Sequence, residues 1–417
     1  MRVLIVAAIT ERINLPTLPL GAALVAAATE AHGHEVAFLD LMGEPDPEGA
    51  LRRTIERVRP DAIGVSVRNI DDQEMTQPTF LLDKVRPLIA VCRAASAAPV
   101  VLGGAGFTMF PEAVLRHLGA DYGVCGEGEE AFPALLACLE RGTDTRHLPG
   151  LHAGGHRPAE PRAAVASLDT LPEPGPRLWA NADLGDPDVW VPVQTRRGCP
   201  YRCSYCSTPQ IEGSVLRCRS PQRVTEQLGR MAAAGVRRIQ FVDNIFNVPD
   251  DYALQLCRCI ADLNADLEWQ CIVYPHLLDE ELAAAMADAG CRAASLGFEA
   301  GDDRMLRAYG KHFDTADVRR IAGLLADHGI RRFGFLLLGG PGETRETFAN
   351  SLDFVESLDL DLLKVTVGVR IYPGTGLART ALDERVVAGD DDLLRPRFYV
   401  APDLEAWIRD ELARRGL

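Results

Sequence analysis

The sequence predicts an α/β protein in two successive parts, a doubly wound parallel sheet followed by a partial barrel of six β/α units. Three observations carry that expectation. Short β-rich runs alternate with helical patterns of about a dozen residues as far as Arg141. A stretch rich in proline, glycine and histidine, Gly142–Asp188, then breaks the pattern. A second alternation starts at Val189.

In the first part the runs are Val3–Ala8, Glu35–Leu41, Ala62–Val67, Val100–Leu102 and Tyr122–Val124. The helical patterns are Leu20–Ala31, Pro47–Val58, Phe80–Ala94, Pro111–Leu118 and Ala131–Arg141. Such alternation implies a parallel sheet covered on both faces, with a ligand crevice at the carboxyl ends of its strands. None of the turns there is a GxGxxG after the first strand, which argues against ordinary NAD binding. The composition of residues 142–188 marks a linker.

The second part, 189–378, has strand candidates at Val189–Thr195, Arg238–Val242, Trp269–Val273, Ala294–Phe298, Phe333–Leu338 and Leu362–Val369. Helices are expected at Pro221–Ala234, Asp250–Leu263, Asp279–Ala289, Thr315–His328 and Thr344–Ser357. Six such units are roughly three quarters of a closed eight-unit TIM-type barrel. Residues 379–417 read as a short tail ending in an amphipathic helix, Leu404–Arg415.

Composition bounds the function. In 417 residues, 47% hydrophobic and 25% charged, there is no bias toward disorder. No apolar run reaches the ~18 residues of a membrane span, and the start, MRVLIVAAITERINLP, reads as a buried strand and not a leader, so a cytoplasmic protein with no membrane partner is expected. A formal charge of -15 works against a nucleic acid partner. Lysine occurs only at 84, 311 and 364 against 41 arginines, a bias that with abundant alanine suggests a GC-rich genome.

The sharpest chemical signal is Cys199-Pro-Tyr-Arg-Cys203-Ser-Tyr205-Cys206, a CxxxCxxC directly after the first barrel strand. Three thiolates on one loop can hold three irons of an iron–sulfur cluster and leave the fourth open, as a catalytic centre requires. A structural zinc site would need a fourth ligand, for which Cys218, twelve residues on, is the nearest candidate. Cys257, Cys259, Cys271 and Cys291 have no metal spacing and read as small core hydrophobes.

This loop, with Tyr205 before its last cysteine, resembles that of the radical S-adenosylmethionine (SAM) superfamily. Gly297-Phe298-Glu299 is similar to the family's ribose-binding strand end. Gly339-Gly340-Pro341-Gly342-Glu343-Thr344 resembles its adenine-contacting backbone, and Ile371-Tyr372-Pro373-Gly374-Thr375 closes the sixth strand as in that family. The resemblance implies a [4Fe–4S] cluster on Cys199, Cys203 and Cys206. It also implies SAM bound by Tyr205, Glu299, Gly339, Gly340 and Gly342, and an electron donor of flavodoxin or ferredoxin type. A carboxylate such as Glu299 can accept two ribose hydroxyls, and glycines let backbone approach a flat base. One electron would then cleave SAM to a 5′-deoxyadenosyl radical that abstracts hydrogen from substrate.

Residues 1–141 resemble the cobalamin-binding domain of the class B radical enzymes, through Leu18–Gly21, Gly33–Val36, Pro60–Ser66, Val101–Gly104 and Gly126–Glu130. Actual corrinoid binding is a separate question, and because many members of this class lack an axial histidine, its absence does not decide it. The DxHxxG axial-histidine loop is absent, and Arg68-Asn69-Ile70-Asp71-Asp72 puts bulky charges at the crevice turn, costly to bury against a macrocycle unless paired. Ala105-Gly106-Phe107 also replaces a more polar continuation of the Gly-Gly turn.

Among the remaining residues, Asp243 and Asn244 close the second barrel strand and are expected to contact SAM or substrate. Tyr274 and His276 after the third strand, and Arg370 and Tyr372 at the sixth, are the candidates for substrate contact or proton transfer. The expected activity is radical chemistry on a small polar biosynthetic intermediate, with cobalamin-dependent C-methylation placed ahead of cobalamin-independent dehydration, deoxygenation or rearrangement of a polyol or aminoglycoside-type natural-product intermediate. A non-catalytic iron–sulfur or corrinoid sensor is the reading from a different class.

Overall fold

The computed structural model describes residues 1–11, 18–154 and 160–415. The later part of the N-terminal segment quoted above, Arg12–Pro16, lies outside the described residues. Two compact units form: Met1–Asp72, Pro78–Val191 and Gln210–Gly213 make the first, and Gln73–Gln77, Pro192–Pro209 and Ser214–Leu417 the second.

The first unit contains β1 (Arg2–Ala7), α1 (Leu20–Ala31), β2 (Glu35–Asp40), α2 (Pro47–Val58), β3 (Ala62–Ser66), α3 (Leu82–Ala95), β4 (Val100–Gly103), α4 (Ala105–Met109), α5 (Pro111–Leu118), β5 (Tyr122–Val124), α6 (Gly128–Arg141) and β6 (Leu151–Ala153). Its sheet runs β2-β1-β3-β4-β5-β6. Parallel pairing holds through β5, and β6 adds an antiparallel edge. A parallel sheet covered on both faces wants near-continuous apolar strands, and Val3 to Ala7 are all buried. Local chemistry sets the helix starts. Asp46 accepts the Gly49 N–H at 3.0 Å with Pro47 in the first turn, so α2 begins where its sequence says it should. The expected linker is structured in part: β6 comes from it, and Cys125 N–H donates to the Gly150 carbonyl at 3.0 Å.

The second unit begins with β7 (Val191–Val193), β8 (Arg196–Arg197), α7 (Thr208–Ile211), β9 (Arg217–Cys218), α8 (Pro221–Ala233), β10 (Arg238–Phe241), α9 (Asp250–Asp262), β11 (Glu268–Val273), α10 (Glu280–Asp288) and β12 (Cys291–Glu299). It continues with α11 (Asp303–Ala308), α12 (Thr315–Asp327), β13 (Arg331–Leu338), α13 (Arg345–Glu356), β14 (Leu362–Val367), β15 (Val369–Arg370), α14 (Gly376–Asp383), β16 (Phe398–Tyr399) and α15 (Glu405–Arg415). The main sheet is six strands in the order β14-β13-β12-β11-β10-β7, an open barrel whose first and last strands do not meet. Its core includes Phe241, Phe246 and Trp269, with the Trp269 indole N–H held by the Ala289 carbonyl at 2.7 Å. Asp314 and Asp317 form a capping box that starts α12. The region expected as a tail, 379–417, carries the end of α14, then β16, which pairs with β15, and α15. Among the described residues, no helix is long and apolar enough to cross a membrane.

Candidate active site

The cysteine loop is built on a buried polar floor. After β7, Thr195 and Arg196 turn their backbone N–H groups onto the Asp243 carboxylate, at 2.7 and 3.1 Å, and the Thr195 hydroxyl donates to it at 2.5 Å. Arg196, 1% exposed, supplies the counter-charge at 3.3 Å. Gly198 then takes φ +90°, a conformation that favours glycine, and swings the chain into Cys199. Asp243, expected to reach SAM, is fully buried and occupied by these donors. It therefore shapes the start of the loop from beneath.

Cys199 is buried and Cys203 and Cys206 are half-buried. Burial pushes the Cys199 thiol up to about 11 and raises Cys203 as well, the three sulfurs adding to each other's burden while Lys311 opposes it. Ionising Cys199 and Cys203 awaits a cation, as expected where metal binding drives deprotonation. Among the described residues no three His, Cys, Asp or Glu converge on a single ion. A four-iron cluster does not ask for that, because each thiolate takes a different iron. The donor set fits such a cluster. Cys218 sits apart, paired across β8–β9 with Arg196.

The loop is clamped from two sides. Ser204 N–H donates to the Tyr309 carbonyl at 2.9 Å and its hydroxyl to the Ala308 carbonyl at 3.2 Å. Leu377 N–H returns to the Ser204 carbonyl at 2.7 Å. Tyr201 stacks on Tyr274 at 4.1 Å, and the Tyr274 hydroxyl accepts the His312 N–H at 3.0 Å. Tyr274, expected to meet substrate, is thus a buried support for the cluster loop.

Glu299 ends β12 with φ +68°, where the register against β13 shifts. A non-glycine residue held there is strained, and a bulge of this kind re-aims a side chain. Its carboxylate hydrogen-bonds the Tyr205 phenol, whose pKa burial raises first and that carboxylate raises further. So two elements named from sequence, Tyr205 and Glu299, do meet. The third segment follows β13. Gly339 and Gly342 have φ +94° and +80°, and the Glu343 carboxylate accepts the Gly339 and Gly340 N–H groups. A side chain at Gly340 would land on the Tyr309 hydroxyl.

The remaining sequence candidates divide. Asn244 is half-buried and its side-chain oxygen accepts the Thr208 hydroxyl at 3.2 Å. His276 is half-buried, its carbonyl held by Asn247 at 2.6 Å. Tyr372 is half-buried and accepts from Gln73 at 2.9 Å. Arg370, expected beside substrate, is buried and donates to the Ile371 and Leu393 carbonyls at 2.5 and 3.0 Å, so its charge serves the β15 turn. Sequence reasoning missed Tyr309, Lys311 and Asn247. The scarcity of lysine was a signal available for Lys311.

In the first unit, the crevice lies at the carboxyl ends of β1 and β3, where strand order reverses. Ala8, Thr10, Ser66, Arg68 and the 2.5 Å Glu11–Lys84 pair line about 300 Å³ of open space. The charges that argued against a macrocycle are held differently. Asp71 is buried at 4% exposure in a bridge to Phe80, and Asp72 accepts the Thr79 N–H at 3.0 Å. Only Arg68 stays exposed, and partial desolvation lowers its pKa. Phe107 points into the core over Gly123, which explains the apolar continuation of the Gly-Gly turn. With Asp71 buried and Asp72 held by the Thr79 N–H, the crevice at this edge is open to a bound corrinoid.

Comparison with known proteins agrees with both sites. Residues 193–355 match the radical SAM superfamily and residues 6–136 the B12 binding domain. The chain thus carries a radical SAM domain with a B12-binding domain ahead of it. It is 28% identical to a tryptophan 2-C-methyltransferase of Streptomyces laurentii, over 90% of this chain and 74% of that one. A structure of the radical SAM methyltransferase TsrM from Kitasatospora setae, with tryptophan and a SAM analogue bound, superposes with a TM-score of 0.84. That match has 26% identity and covers 99% of this chain and 88% of that one. An uncharacterized methyltransferase of Pyrococcus horikoshii is 26% identical over 87% of this chain and 78% of its own.

Proposed function

We propose that the protein is a cobalamin-dependent radical SAM C-methyltransferase acting on a small polar biosynthetic intermediate. The observation that carries this is the pairing of both domains in one chain with likeness to a solved methyltransferase across 99% of its length. Dehydration or deoxygenation without cobalamin rested on the charged turn Arg68–Asp72, where Asp71 is buried and the Asp72 carboxylate accepts the Thr79 N–H.

When bound, the cluster supplies a low-potential electron and an open iron for SAM, and the corrinoid supplies a methyl carrier. The chain's own residues bind and orient. Cys199, Cys203 and Cys206 hold iron. Glu299, aimed by its strained bulge, takes the ribose hydroxyls, and Gly339–Gly342 offer backbone to the adenine. His276 and Tyr372, half-buried beyond the strand ends, are the groups left to hold or move a proton on substrate. The electron comes from a flavodoxin- or ferredoxin-type donor. Tryptophan is the first substrate to try, because the Streptomyces relative is named for methylating it.

The test is anaerobic reconstitution with iron, sulfide and cobalamin, desalting, and counting of both cofactors, followed by incubation with methyl-labelled SAM. About four irons and one corrinoid per chain with label in product is the expected result. Full iron with no retained corrinoid would sink methyl transfer and return the search to polyols.

A further inference from the structure

We infer that Lys311 is a positioning residue for the iron–sulfur site, whose buried ammonium supplies the internal positive charge that keeps the cluster reducible. The inference rests on the cluster reading above and goes beyond it by assigning what sets the cluster's potential.

The chain draws almost all of its positive charge from arginine, and Lys84 and Lys364 are exposed. Lys311 has a side chain only 4% exposed. An ammonium removed from water costs several kcal/mol unless its surroundings compensate, so its position needs a reason. Its partners are unusual for a structural lysine. Nζ donates to the Gly297 carbonyl at 2.8 Å and lies 3.6 Å from the Glu299 carboxylate. Three rings face it, Tyr205, Tyr274 and Phe313, at 5.6, 5.7 and 5.8 Å.

Each partner belongs to the site. Tyr205 lies between Cys203 and Cys206, Tyr274 supports Tyr201 of the same loop, and Gly297 and Glu299 form the strained strand end. The segment carrying Lys311 also makes the clamp on Ser204 through Ala308 and Tyr309. The ammonium is therefore held at fixed distance from the cysteine loop by contacts that do not depend on solvent. A fixed positive charge beside a cluster in a poorly polarisable site favours its more negative, reduced form. A single carboxylate at 3.6 Å leaves part of that charge to act on the cluster.

The experiment compares wild type, Lys311→Gln and Lys311→Arg after anaerobic reconstitution, by iron count, thermal melt and reductive titration followed by electron paramagnetic resonance. Glutamine keeps a donor for the Gly297 carbonyl, which protects the fold, while removing the charge. K311Q is expected to titrate at a lower potential than wild type, with K311R close to wild type. Iron retained by K311R and lost from K311Q supports the same conclusion, since charge is then what the site needs. Equal midpoints for wild type and K311Q overturn it. So does an equal loss, of potential or of iron, in both variants, which would make side-chain shape the requirement. A wild type that binds no iron removes the cluster reading itself, and the iron count alone distinguishes that failure.

Discussion

Asp243 holds Thr195 by two hydrogen bonds, from its backbone N–H at 2.7 Å and from its hydroxyl at 2.5 Å, four residues ahead of the first cluster cysteine. With Arg196 at 3.3 Å, the carboxylate is at once a turn template and half of a buried ion pair. Among the described residues, one terminal guanidinium nitrogen of Arg196, Nη2, has no hydrogen-bond partner.

Asp243→Ala should therefore destabilise the second unit by about 3–5 kcal/mol, because it leaves the Arg196 charge buried alone. Iron retention should fall with it, since Thr195 and Arg196 lose the acceptor for both backbone N–H groups. Adding Arg196→Met should recover part of the stability but not the loop geometry. Chemical denaturation and iron counts on the single and double variants check this, and additive losses would refute the coupling.

Gly340→Ala is expected to weaken SAM binding and to lower stability by about 1–3 kcal/mol, the usual range for overpacking. The added methyl meets the ring and hydroxyl of Tyr309, whose own hydroxyl donates to the Leu337 carbonyl at 2.5 Å. Tyr309 cannot retreat, because it packs on Tyr205 and its carbonyl holds Ser204. Calorimetric titration with SAM on the reconstituted variant reads the effect. Unchanged affinity and melting would show that the segment yields.

The cysteine motif was legible because its three thiols lie within eight contiguous residues, so spacing alone suggests their chemistry. Glu299 and the glycine segment were legible only through family likeness. Lys311, Tyr309 and Asn247 were not, since each acts across separate β/α units and leaves no local pattern. Asp243 and Arg370 misled for a physical reason: a polar residue at a strand end is read as facing the barrel mouth. Three donors at Asp243 and two carbonyls at Arg370 turn them inward instead. The fold was more legible than the site. The boundaries of α1, α2 and α5 follow from sequence, while β6 was hidden in proline- and glycine-rich sequence.

Cys218→Ala should retain the full iron complement, whereas Cys203→Ala should lose the cluster. Cys218 is half-buried on β9 with its thiol raised by desolvation, and it pairs in register with Arg196 and not with the loop. Iron and sulfide analysis of the two variants decides it. Iron loss from C218A would restore a four-cysteine site and the zinc alternative with it.

Glu343 gives the protein a pH dependence that can be isolated. Burial is the main cause that lifts its carboxyl from 4.5 to about 7, against the opposing pull of the Gly339 and Gly340 N–H groups. A folded-state pKa above the unfolded one means that the native state binds the extra proton between those values. Stability from this group is therefore present below about pH 4.5 and is lost as pH rises through 7, a difference of roughly 3 kcal/mol. Glu343→Gln keeps an acceptor for the glycine N–H groups and cannot ionise. The variant should match wild type in acid and melt higher above neutral pH, with the gap opening between those limits. Melting curves of both proteins from pH 5 to about pH 8 read that gap directly. Parallel curves would mean that Glu343 ionises freely, and that the Gly339–Gly342 backbone does not enclose it as the structure shows.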